Sequence, residues 1–90
     1  MTKNEIALAF AGGLSGRCHN ARTDGQTYWL HDTPIAVWKD RMVQFYWGGF
    51  YTPTTASHMN KILTALGAPF RVGYARARDE RHDVFVWEGV

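Results

Sequence analysis

The chain has 90 residues, of which 46% are hydrophobic, 14% aromatic and 20% charged; this is ordinary globular composition for one small domain, and it excludes a disordered segment. A net charge of only +2 argues against both a polycationic nucleic-acid binder and an acidic nucleic-acid mimic. The single cysteine, Cys18, leaves no intramolecular disulfide and no multi-cysteine zinc site. The polar start of the chain, with no long apolar run after it, points to a cytoplasmic protein without a membrane partner.

In chain order, Thr2 and Glu5 have the spacing of a capping box, and the spacing predicts a short helix from about Lys3 to Ala11, stopped by Gly12-Gly13. It must dock through Ile6, Leu8 or Phe10; a strand is the competing reading, because the segment is uniformly apolar. Leu14 to Asn20 reads ambiguously, with at most a short strand around Arg17 to Asn20 that is not counted in the element order, and a turn follows at Thr23-Asp24-Gly25. Strands at Gln26–Leu30, Ile35–Trp38 and Met42–Trp47 form an antiparallel meander, with a tight turn at Lys39-Asp40. Alternation in the third puts Val43, Phe45 and Trp47 on one face and Met42, Gln44 and Tyr46 on the other.

After Gly48-Gly49 and Pro53, Thr54 or Thr55 is a good N-cap. Ala56, Met59, Ile62, Leu63 and Leu66 form one helical stripe, ended by Gly67 and Pro69. Phe70, Val72 and Tyr74 alternate as a strand, Arg76 to Asp83 reads as a charged hairpin loop, and Val84 to Trp87 as the closing strand. The order is α-β-β-β-α-β-β. The expected fold is α+β over residues 1–90: a mostly antiparallel sheet of about five strands, with one main amphipathic helix on a face and a short N-terminal helix.

The strongest binding candidates are Arg71, Tyr74, Arg76, Arg78 and Arg81 near the C-terminus, together with Trp47, Phe50 and Tyr51. On a strand, Arg76 and Arg78 share a face and are spaced to meet successive phosphates or carboxylates. The aromatics beside a flexible Gly-Gly suit base stacking or protein contact. Gly48, Gly49, Thr54, Thr55 and Asn60 are read as structural. The threonines cap the helix, with an anion at its start as the sharper alternative, and the Asn60 amide, at the edge of the stripe, is expected to bond loop backbone and fix the Gly48-Gly49 turn. His58 and Lys61 fall on the outward side. His31 bonds backbone. Cys18 and His19 point to opposite faces of a strand and make no nucleophile–base pair. The four histidines match no metal-ligand spacing. No catalytic residue, metal or cofactor is assigned, and a binding protein is expected rather than an enzyme, with a small hydrolase or nuclease third.

Cys18 to Gly25 (Cys-His-Asn-Ala-Arg-Thr-Asp-Gly), Leu30-His31, Thr33-Pro34-Ile35-Ala36, Gly48-Gly49, Thr52-x-Thr54-Thr55 and Met59-Asn60 together resemble a family of small proteins encoded by bacterial viruses and prophages. The resemblance covers roughly Cys18 to Leu66. It implies a phage setting and supplies no catalytic residues. In that setting the expected function is an accessory protein that acts stoichiometrically by binding and blocking a host macromolecule, an anti-CRISPR or other anti-defence inhibitor whose partner is a host defence complex. The alternative is a small nucleic-acid or nucleotide binder that uses the C-terminal arginines. Homodimerisation through the exposed edge of the final hairpin stays open.

Overall fold

The computed structural model describes residues 1–89. Among them the chain forms α1 (Lys3–Ala11), β1 (Ser15–Cys18), β2 (Ala21–Asp24), β3 (Thr27–Leu30), β4 (Thr33–Lys39), β5 (Met42–Tyr46), α2 (Pro53–Leu66), α3 (Tyr74–Glu80) and β6 (Val84–Glu88). The fold is α+β, as expected. Its sheet is fully antiparallel, with strands side by side in chain order from β1 to β6.

The capping box at the start of α1 is present. The Thr2 hydroxyl accepts the Glu5 N–H at 3.1 Å, and the Glu5 carboxylate accepts the Thr2 N–H at 2.8 Å. The Thr2 backbone bond, then its hydroxyl, hold the Glu5 carboxyl below its ordinary value. Ile6 and Phe10 dock the helix, while Leu8 points into solvent.

The segment from Leu14 to Asp24 holds two strands where at most one short strand was expected. β1 ends before Asn20, and His19 (φ 49°) and Asn20 turn the chain into β2. No glycine or proline marks this turn. Histidine tolerates the left-handed conformation less readily than glycine, so the turn has no strong sequence signal. The next turn is the expected one: Asp24 Oδ1 accepts the N–H groups of Gln26 and Thr27 at 2.9 and 2.8 Å. Gly25 sits at φ 95°, and a Cβ there would lie 2.4 Å from the Gly13 carbonyl oxygen, so only glycine fits. Between β3 and β4 the register shifts by one residue at Ile35, the extra residue of a bulge; Pro34, which lacks an N–H, lies beside it.

α2 starts two residues earlier than the threonine pair suggested. Its N-cap is Thr52, whose hydroxyl accepts the Thr55 N–H at 3.2 Å, and Pro53 occupies the first helical position, where its missing N–H costs nothing. Gly67 ends the helix at φ 75°.

The C-terminal region differs most from expectation. Residues 70–73 form no strand, and Tyr74–Glu80 is a helix, not part of a hairpin. β6 therefore pairs with β5. Two features override the alternation of Phe70, Val72 and Tyr74. The Asn60 amide brackets Val72, donating to its carbonyl at 3.0 Å and accepting its N–H at 2.8 Å. The following Ala-Arg-Ala-Arg-Asp-Glu consists mostly of good helix formers and adds an Arg76–Glu80 pair at i,i+4.

The core lies between one sheet face and the helices. Ile6 and Phe10 of α1 and Met59, Ile62 and Leu63 of α2 meet Tyr28, Ala36, Val43, Phe45 and Trp47, all at most 1% exposed. Phe10 and Tyr28 meet edge to face, and the Trp38 indole N–H donates to the Phe10 carbonyl at 2.9 Å. The result is a two-layer slab of 33 × 31 × 18 Å.

Candidate functional site

Strand alternation and register divide the sheet residues into two sets. The inward set, which includes Cys18, Ala21, Tyr28, Ala36, Val43 and Phe45, is buried under α1 and α2. The outward set is covered by no described element, and none of its members is buried. It is arranged in rows across the strands. Arg17, Arg22, Trp29 and Pro34 form one row. Thr27, Val37, Gln44 and Val86 form another, and beside it run Lys39–Met42–Glu88 and Tyr46–Val84.

The β1–β3 half of this face is basic and aromatic. The Arg22 guanidinium lies 4.7 Å from the Trp29 ring centre while donating to the His31 carbonyl at 3.2 Å and to Asp32 at 3.3 Å. The β4–β6 half is largely apolar, with Met42 37% exposed and Val84 and Val86 each 44% exposed. An uncovered antiparallel face is expected to be polar. Four valine and methionine side chains and two rings depart from that pattern and leave an apolar patch in solvent.

The expected aromatic cluster is divided. Trp47 is 1% exposed and belongs to the core, stacked on Tyr51 at 5.6 Å between centroids; a large indole at the end of the most apolar strand is drawn under α2. Phe50 is exposed, and Tyr51 is half-buried with its hydroxyl donating to Asp83 at 3.2 Å. Burial, then the Asp83 bond and charge, push the Tyr51 phenol up. Asp83 also accepts the Gly49 N–H at 3.0 Å, so it is Asp83, not Asn60, that holds the Gly48-Gly49 turn. Both glycines are left-handed, and a Cβ on Gly48 would meet the Thr33 methyl at 2.8 Å. Thr54 is exposed. Thr55 is buried, with its hydroxyl 3.0 Å from that of Thr52. Around them Leu30, Ile35 and Trp47 floor a cleft of about 460 Å³, rimmed by His31, Thr33, Phe50 and the α2 threonines.

The C-terminal arginines are not arrayed on a strand. Arg76 and Arg78 sit about 200° apart around α3 and pair with Glu80 at 3.0 Å and Asp79 at 3.1 Å. Arg71 donates to the Ala68 and Phe70 carbonyls at 3.1 and 2.7 Å. Arg81 ends α3 at φ 57°. Tyr74 is half-buried against the core.

His58 is not on a solvated side. It is 4% exposed, and its Nδ1 lies 2.7 Å from the Tyr28 hydroxyl. Burial, then the charges of Lys3, Lys61 and His31, lower the imidazole from 6.5 to about 4; Tyr28 is raised, chiefly by burial. The pair is neutral at pH 7 and satisfies two polar groups inside the core. Cys18 is buried and free. The expected bond from the His31 side chain to backbone is not seen among the described residues; its backbone is engaged instead, the carbonyl accepting from Arg22 at 3.2 Å and the N–H donating to the Asn20 carbonyl at 2.6 Å. Among the described residues no three His, Cys, Asp or Glu side chains gather, and no helix is long and apolar enough to cross a membrane.

Sequence reasoning passed over Trp29, Val37, Val84, Val86, Arg17 and Arg22 as residues of an uncovered sheet face. The signal was present: one short and one medium amphipathic helix cannot cover both faces of a wide sheet, so the alternate strand residues had to stay open.

No curated protein and no solved structure matches this chain. The Kyanoviridae Gp96 protein family matches residues 16–85, from β1 into β6. That span covers the whole of the expected phage resemblance and most of the sheet. The chain thus belongs to the Kyanoviridae Gp96 protein family, a family of small phage-encoded proteins.

Proposed function

We propose that this phage accessory protein works by stoichiometric binding, presenting the uncovered face of its sheet to a host macromolecule and blocking it. The observation that carries the reading is the outward row set of Val37, Met42, Tyr46, Val84 and Val86 beside Trp29, held in register by six paired strands. A rigid, partly apolar face with aromatic anchors and a basic flank is the composition of a protein-binding surface. Host defence assemblies, CRISPR effector complexes among them, are the class of target that the phage setting favours. The reading is of a binder, not a catalyst.

The test is capture of partners by the tagged chain from infected host cells, with mass spectrometry of what is retained. A defence complex held by the wild type, and lost in a Tyr46→Ala, Val37→Asp chain that stays folded, is the expected result. Retention unchanged by those substitutions, or no partner across several hosts, sinks the reading.

A second reading, nucleic-acid binding, has one specific observation in its favour: the Arg17–Arg22–Trp29 row, in which a guanidinium and an indole already stack. It moves the candidate cations from α3, where carboxylates engage them, to β1 and β2. Affinity for single strands should then fall steeply with salt, and Arg17→Ala with Arg22→Ala should flatten that slope. If DNA and RNA both fail to bind at low salt, this reading is excluded.

A further inference from the structure

The free edge of the sheet at β6 carries a hydrogen-bonding pattern that is complementary to itself. The Trp47 N–H donates to the Asp83 carbonyl at 2.8 Å, and the Gly89 N–H to the Arg41 carbonyl at 2.9 Å. These bonds flank the β5–β6 ladder. The alternation of an antiparallel pair then makes Phe45–Phe85 and Val43–Trp87 its hydrogen-bonded rungs. Val84, Val86 and Glu88 consequently point their N–H and C=O groups away from β5. None of these six groups has a partner among the described residues.

Natural edges are commonly blunted by charged side chains, lysine above all, by proline or by a bulge. The β6 sequence Val-Phe-Val-Trp-Glu has no lysine, proline or bulge, and its one charge, Glu88, stands at the end of the strand; β1, the other edge, is shorter and carries Arg17 within it.

We infer that two copies of this chain associate by antiparallel pairing of their β6 strands about a two-fold axis at Val86, joining two six-stranded sheets into one. In that register Val86 pairs with Val86, and Val84 with Glu88. All six outward groups of each copy are then satisfied, with none left over. On the inner side, Phe85 of one copy lies opposite Trp87 of the other. Both rings are half-buried: Phe85 stacks on Phe45 at 4.6 Å and meets Phe70 edge-on at 6.3 Å, and Trp87 ends a cluster against Trp38 at 6.2 Å. Pairing brings these rings side by side across the axis and covers them further. The single charge of the strand, Glu88, falls opposite Val84, so the two carboxylates stay at opposite ends of the joint, more than about 10 Å apart at strand rise. A heterologous strand would need a matching pattern; a second copy supplies it by symmetry.

The inference is independent of what the outward face binds. Its test is the mass of the full chain in solution by light scattering and sedimentation, from low micromolar to millimolar, with amide exchange read residue by residue. A concentration-dependent dimer is expected, with the amides of Val84, Val86 and Glu88 protected at high concentration and exchanging freely on dilution. Val86→Lys and Val86→Pro should both be monomeric with unchanged circular dichroism. The proline is tolerated within one copy because the N–H it removes points away from β5. A wild-type chain monomeric to millimolar concentration overturns the inference. So does a dimer that survives both substitutions, and so do edge amides protected only when a host extract is added.

Discussion

At the scale of single residues, the buried polar contacts decide stability. His58 titrates near 4 when folded and near 6.5 when unfolded, so below 6.5 the unfolded chain binds the extra proton. Stability is fully present above about pH 6.5 and falls as the pH drops toward 4, by on the order of 3 kcal/mol in total. Urea midpoints at pH 7.5, 5.5 and 4 should show this loss, and His58→Gln should flatten it; an unchanged slope in the variant would assign the loss to other groups. Asn60→Ala should cost about 1–3 kcal/mol, because it strips both partners from the Val72 backbone, and urea denaturation checks it. Asn60 was legible as a bracket for loop backbone, since an amide at the edge of an apolar stripe must find a partner. Which loop it holds was not, because twelve residues and a helix end separate it from Val72. His58 was misread as solvated, although Thr55, His58 and Ile62 lie at i, i+3 and i+7, one line on the helix. Its partner, Tyr28, is thirty residues away and leaves no local trace.

At the scale of elements, capping and propensity decide what forms. Thr52→Ala should destabilise the protein by about 1 kcal/mol, because the α2 cap is lost, whereas Thr54→Ala, exposed and without a side-chain bond, should be nearly neutral. Thermal melts of the two variants distinguish this from the capping expected at the threonine pair, which would reverse the order. α2 was readable because apolar periodicity, cap and terminal glycine all agree there. α3 was not. Its seven residues include none that is buried, and its glycine N-cap makes no side-chain bond, so neither stripe nor start signal marks it. Such a helix is held by local propensity, its ends and the half-buried contacts of Tyr74 and Ala77. Its amides should therefore exchange ahead of those of α2 in native-state hydrogen exchange, and equal protection in the two helices would refute this.

At the scale of the molecule, the fold is a sheet with one dressed face, and that asymmetry can be tested on neighbouring residues. Ala36 and Val37 are adjacent in β4 and point in opposite directions. Ala36 is wholly enclosed under the helices, while Val37 stands in the open row with Gln44. A lysine at 36 would bury an ammonium with no counter-charge in a packed core, and the chain has no reserve to absorb several kcal/mol. A lysine at 37 meets water, and it costs only the difference in strand preference between valine and lysine, at most about 1 kcal/mol. Ala36→Lys should therefore unfold the protein and Val37→Lys should not, as read by circular dichroism and urea midpoint. If both unfold it, a layer covers the outward face, and the surface proposed for binding does not exist in solution. If Val37→Lys folds yet no longer retains a partner, stability and function separate onto the two faces. The apolar outward row then has no structural reason to be there, and contact with another macromolecule is the reason left for it.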